Sequence, residues 1–115
     1  MVSVNAARQL ALALPEATEQ PHFHLSSFRL KNKIFATLWK AEKKMMVKLP
    51  LIDQSVFCDL DKNIIYPVPG VWGRQGATFI ELTKAKRKIV AEALTAAWKN
   101  TATKTLLHKY MDRGR

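Results

Sequence analysis

The stretch from Lys84 to Trp98 constrains the fold most. Ile89, Val90, Ala93, Leu94, Ala97 and Trp98 fall on one face of a helix, while Lys86, Arg87, Glu92 and Lys99 lie elsewhere. Such an apolar face must be buried against another surface. The partners on offer are mostly short extended segments rather than long helices, which predicts helices packed on a sheet. Ser3 to Leu14 forms a first helix, with Val4, Ala7, Leu10, Ala11 and Leu14 on one side, Ser3 as N-cap and Pro15 as stop. After the turn-rich 15–21 stretch, His22 to Leu30 alternates as a strand. Its apolar set shifts from Phe23 and Leu25 to Phe28 and Leu30, a change of phase that predicts a bulge or kink near Ser26-Ser27.

Lys31-Asn32-Lys33 separates that strand from Ile34 to Lys40, which predicts a hairpin with Arg29, Lys31 and Lys33 at its tip. Met45 to Leu49 reads as a third strand, with Met45, Val47 and Leu49 facing one way and Met46 and Lys48 the other. Pro50 opens a short helix whose apolar stripe is Ile52, Val56, Phe57 and Leu60, with Cys58 off its centre. Ile64 to Val68 is a strand demoted to an edge by Pro67, and Thr78 to Leu82 is another. A last short helix starts near Thr103 and packs Leu106, Leu107, Tyr110 and Met111, with Asp112 to Arg115 expected to fray. The expected fold class is α+β: a two-layer sandwich with an antiparallel sheet of about five strands covered by helices, as one domain over 1–115.

Charge bounds the partners. The 19 Lys and Arg residues against 9 Asp and Glu give a net charge of +10, a surface that attracts polyanions. Basicity is regional: residues 29–48 contribute +6 and residues 83–115 contribute +7, while the rest is slightly acidic. The single cysteine excludes an internal disulfide. With no signal-like opening and no apolar run of membrane-spanning length, a soluble cytoplasmic protein is expected. Lys84, Lys86, Arg87 and Lys88 crowd a helix start, where the dipole disfavours cations; binding and tolerated surface charge both account for them.

Catalytic equipment is sparse. His22 and His24 sit two apart but lack nearby third and fourth metal ligands, so no metal or cofactor is expected. Neither Ser nor Cys58 sits in a nucleophile signature, and the acids are scattered, which argues against an enzyme. The loop Gly70 to Gly76 carries three glycines, with Trp72 as a stacking surface and Arg74 and Gln75 as donors. It is either an anion-binding loop or a rigid turn with Trp72 packed as a lid on the core. It lacks the Lys-Ser/Thr ending of a nucleotide-hydrolysing loop. Arg29, Lys31 and Lys33 are either phosphate contacts or a solvated turn.

Three stretches carry a resemblance: Ala13-Leu14-Pro15-Glu16-Ala17-Thr18-Glu19, Phe28 through Leu38, and Tyr66 through Thr78 with its Trp-Gly-Arg-Gln-Gly core. With the helix ending in Ala96-Ala97-Trp98, they resemble the MmcQ/YjbR family of small bacterial proteins. The resemblance implies a CyaY/frataxin-like fold and a double-wing mode of DNA binding in which hairpins act as wings. Where the family often has glycine at the first hairpin turn this chain has Asn32, which still tolerates left-handed geometry. The expectation is a monomeric, non-enzymatic domain binding DNA through phosphate contacts. Its contact residues are Arg29, Lys31, Lys33, Trp72, Arg74 and Gln75. The alternative is a module for a small anionic ligand or an acidic protein. Iron handling, which the fold alone would suggest, fits poorly with a basic chain lacking an acidic ridge.

Overall fold

The computed structural model describes residues 1–113. Helix α1 (Val4–Leu12) leads into four strands, β1 (Thr18–His22), β2 (Leu25–Leu30), β3 (Lys33–Trp39) and β4 (Lys44–Lys48). Helix α2 (Leu51–Leu60), strand β5 (Ile65–Pro67), the single turn α3 (Val71–Arg74) and strand β6 (Ala77–Glu81) follow, before α4 (Arg87–Thr101) and α5 (Lys104–Arg113). The sheet has six antiparallel strands in the order β1-β2-β3-β4-β6-β5. The α+β sandwich is as expected, with one strand more than the sequence suggested.

The extra strand is β1. The stretch His22 to Leu30 is not one bent strand but parts of two, because the chain reverses at Phe23-His24 and pairs His22 with Leu25. Phe23 therefore lies in a turn, at φ 58°, and not on a strand face. Pro21 is tolerated because β1 is an edge strand and needs no donor on its outer side. A bulge does occur, but between Phe28 and Arg29 and across from Phe35, rather than at Ser26-Ser27. It brings Phe35 and Ala36 both into the core, each fully buried.

Register divides the sheet into two unlike faces. Paired residues share a face, so Phe28, Ala36, Leu38, Met45, Val47, Ile80 and Ile65 form one continuous layer. All are 2% exposed or less and belong to the core with Ala7, Ala11, Val90, Leu94 and Trp98 of the helices. Trp98 also donates from Nε1 to the Pro15 carbonyl at 2.9 Å, which fixes the end of α1 over α4. Ser3 caps α1 as its sequence predicts, accepting from the Ala6 amide at 3.0 Å. Among the described residues no helix packs over the opposite face, which carries Thr37, Trp39, Lys44, Met46, Phe79 and Tyr66.

Helix α2 buries only part of its expected face: Phe57 packs against the core, but the rest of the stripe does not. Ile52, Val56 and Leu60 are 77%, 61% and 59% exposed, while Gln54 and Cys58 point inward. Gln54 wins the inner position because its Nε2 donates to the Gly73 carbonyl at 2.9 Å and also reaches Thr78 Oγ1 at 3.1 Å. Turned outward it would lose these buried acceptors, whereas inside it joins α2 to the Gly73 turn and to β6. At the other end of the chain, α5 extends through Arg113, into the segment expected to fray, and residues 114–115 of that segment lie outside the described residues.

Candidate functional site

The two segments singled out in the sequence emerge at the same end of the sheet. β3 begins at Lys33, β4 ends at Lys48 and β6 begins at Ala77, and the pairs Ala36 with Val47 and Lys48 with Ala77 put these three termini side by side. The β2–β3 turn and the Gly70–Gly76 connection therefore share one rim, with Lys48 between them. Lys31, Lys33, Lys48, Trp72, Arg74 and Gln75 are all exposed there. The turn takes its left-handed residue at Lys31, φ 57°, rather than at Asn32. Beside it lies an open groove of about 400 Å³ lined by Asn32, Lys33, Ile34, Lys48, Asn100 and Thr101.

Arg29 is not part of the hairpin tip. Its Nε donates to Ser27 Oγ at 2.9 Å and its Nη2 reaches the Pro21 carbonyl at 3.4 Å, so the side chain lies along the helix-free face toward β1. The guanidinium is half-buried and its remaining N–H groups are uncommitted within the described residues.

The glycine loop contains a single helical turn. The amides of Arg74, Gln75 and Gly76 donate to the carbonyls of Gly70, Val71 and Gly73, so they are unavailable to a ligand. Gly73 and Gly76 serve close approach: a Cβ would sit 1.8 Å from the Val68 carbonyl oxygen in the first case and 2.0 Å from that of Leu49 in the second. Trp72 is 67% exposed, so it is no lid on the core.

The opposite end of the sheet joins parts of the two basic blocks. The Leu82 amide donates to the Lys43 carbonyl at 3.0 Å, which sets the Lys40–Lys43 turn against the segment entering α4. Lys40, Lys43, Lys84, Lys86 and Arg87 are exposed in these segments. Lys86 occupies the N-cap of α4 without a side-chain cap, and no acid lies in the first turn.

Between the two ends runs the helix-free face, which sequence reasoning did not single out. Lys44, Met46 and Lys48 alternate onto it along β4, linking one basic end to the other. An aromatic row crosses them. Trp39 packs edge-on against Phe79 with ring centroids 5.1 Å apart, Tyr66 lies 6.0 Å beyond Phe79, and His24 is 6.4 Å from Trp39 on the far side. Lys44 Nζ stands 4.3 Å above the centroid of Phe79. The Tyr66 hydroxyl hydrogen-bonds Glu81, and burial together with that carboxylate pushes the phenol up to about 12. The sequence signal was the opposite phase of Met46 and Lys48 to the core positions.

The remaining candidates separate. His22 ends β1 and His24 lies in the turn, and among the described residues no three or more of His, Cys, Asp and Glu come together. Cys58 is buried, and burial with neighbouring Asp59 pushes its thiol up against the weaker opposing effect of Lys62. No helix is long and apolar enough to cross a membrane among the described residues.

No curated protein matches the chain. Among solved structures, it is similar to the Deinococcus radiodurans protein DR2400, which has a DUF419 domain, with a TM-score of 0.75 at 16% identity. That match covers 95% of this chain and 88% of the other, and it shows a shared fold. The YjbR family model matches residues 12–100, from the end of α1 to the C-terminal end of α4, and so spans the whole sheet. The chain belongs to the YjbR family.

Proposed function

We propose that this domain binds nucleic acid, with DNA as the working case, and catalyses no reaction. The observation that carries the reading is the gathering of Lys31, Lys33, Lys48 and Arg74 at one end of the sheet, beside exposed Trp72 and Gln75. The β2–β3 turn and the Gly70–Gly76 connection on either side of Lys48 contain no acid. Phosphates are recognised by charge and reach rather than by an enclosed pocket, which suits four exposed cations at one end of a sheet. Arg29 extends the positive surface onto the helix-free face. The resemblance supports the same use of the β2–β3 hairpin, as a wing laid against the backbone of DNA.

One observation favours a second reading. The groove between Lys33, Lys48 and Asn100 has room for a small anion, which would make the domain a metabolite-binding module. Stabilisation by a specific metabolite in a thermal-shift screen, with no response to DNA, would select it.

Titration of labelled duplex DNA at low and moderate salt tests the main reading. Four phosphate contacts predict an affinity loss of roughly 150-fold between 50 and 200 mM salt. Arg74→Ala should weaken binding at both salts and flatten the dependence. Absence of binding at low salt sinks the proposal.

A further inference from the structure

We infer that the helix-free face of the sheet is a platform for single-stranded nucleic acid, on which unpaired bases stack against Trp39 and Phe79 while Lys44 and Lys48 hold the phosphates. The inference deepens the nucleic-acid reading and rests on it for the class of ligand, but it names a different surface and a different form of the polymer.

The face is built for planar contacts. Trp39 is half-buried, and its ring is fixed on two sides: Nε1 donates to Thr37 Oγ1 at 2.9 Å, and its edge meets Phe79 at an interplanar angle of 90°. A ring held this way loses little freedom when a base settles on it. Phe79 is 5% exposed even though no helix covers it, because Trp39, Tyr66 and Lys44 surround it. The Lys44 ammonium over its ring occupies the place of a stacked base and can move to a phosphate when a base takes its place. From Trp39 through Phe79 to Tyr66 the row runs in centroid steps of 5.1 and 6.0 Å, enough for more than one base.

Charge complements the rings. Lys44 and Lys48 point to the same side of β4, with Lys40 and Lys43 beyond one end and Lys31 and Lys33 beyond the other. A polyanion laid along β4 meets Lys44 and Lys48 with aromatic rings beside it, while the Glu81 carboxylate opposite Lys44 is engaged by the Tyr66 hydroxyl. This pairing of a positive track with stacking surfaces is the physical requirement for sequence-tolerant single-strand binding. An acidic protein would use the cations but leave the ring faces without a planar partner.

The same geometry disfavours a duplex on this face. Trp39 is half-buried and Phe79 5% exposed, so neither stands out from the face as a wedge that could enter a base stack. Only bases already out of a helix reach them. Duplex contacts are left to the protruding loops with Lys31, Lys33 and Arg74.

The test is a comparison of an oligothymidine of about 15 residues with a duplex of equal length, by fluorescence anisotropy at one fixed salt concentration. Wild type is measured with Trp39→Ala, Trp39→Phe and Lys44→Ala, each checked for an unchanged cooperative thermal melt. Trp39→Ala should weaken single-strand binding by roughly 5- to 150-fold while leaving duplex affinity within about twofold. Trp39→Phe, which keeps a stacking ring, should recover part of the loss. In a parallel NMR titration of wild type, the Trp39 indole Nε1–H resonance should shift with oligothymidine. Single-strand affinity unchanged in Trp39→Ala and Lys44→Ala, or single-strand and duplex affinity falling together, overturns the inference and leaves the duplex reading intact. Absence of binding to either polymer by wild type overturns both.

Discussion

Gln54 Nε2 lies 2.9 Å from the carbonyl oxygen of Gly73, a buried hydrogen bond that ties α2 to the turn holding Trp72 and Arg74. The Ala77 carbonyl, at 3.3 Å, is within reach of the same amide. Gln54→Leu keeps the volume and removes the donors. It should cost about 0.5–1.5 kcal/mol, the net worth of a buried hydrogen bond, because the Gly73 and Ala77 carbonyls keep the Gly76 and Val68 amides; a lower midpoint in urea unfolding with an unchanged slope measures it.

The turn should tolerate little at its inner glycines. Gly76 has φ 109° and a Cβ there would meet the Leu49 carbonyl oxygen at 2.0 Å. Backbone strain and overpacking together predict that Gly76→Ala destabilises by roughly 2–5 kcal/mol. Denaturant unfolding measures this, and Gly70→Ala is the control: it has φ 87° but open space around the new carbon, so only the strain of about 1–2 kcal/mol applies.

Trp72→Ala should separate binding from stability. At 67% exposure the ring contributes little to the core, so the unfolding free energy should change by no more than about 0.5 kcal/mol. A weaker affinity for duplex DNA with an unchanged melting temperature is the expected pair of results. A large loss of stability would mean that Trp72 packs as a lid after all.

Tyr66 should give the domain a distinct alkaline limit. Its phenol is pushed from 10 up to about 12 by burial first, then by its hydrogen bond to Glu81 and the charge of that carboxylate. The folded state therefore holds this proton more tightly than the unfolded chain. The stabilisation is fully present below about pH 10 and is lost as pH rises toward 12. Ultraviolet titration of Tyr66 against Tyr66→Phe should show the late ionisation, and the variant should lose the matching decline in stability.

Periodicity made the helix-and-sheet core legible. The apolar face of α4, the Ser3 cap and the phase of Met45, Val47 and Leu49 all follow from residue spacing. β1 was hidden because its turn places Phe23, and not a glycine or asparagine, at positive φ, and because Pro21 reads as a breaker unless the strand lies at an edge. The orientation of α2 was hidden because Gln54 answers to carbonyls more than 15 residues away, at Gly73 and Ala77, rather than to the helix's own pattern. The site was partly legible. Its loop cations are visible as charged turns, and topology adds that they share an end. The aromatic row was not visible, since Trp39, Phe79 and Tyr66 are residue types found in cores, and only strand register places them on the face that the helices leave open.

The slope of log affinity for duplex DNA against log salt tests the account most directly, compared between wild type and Lys31→Ala/Lys33→Ala. Contacts from Lys31, Lys33, Lys48 and Arg74 predict a slope of roughly −3.6 for wild type, falling to roughly −1.8 when two of the four are removed. Equal slopes for the two proteins, or no measurable binding by wild type at low salt, would contradict it.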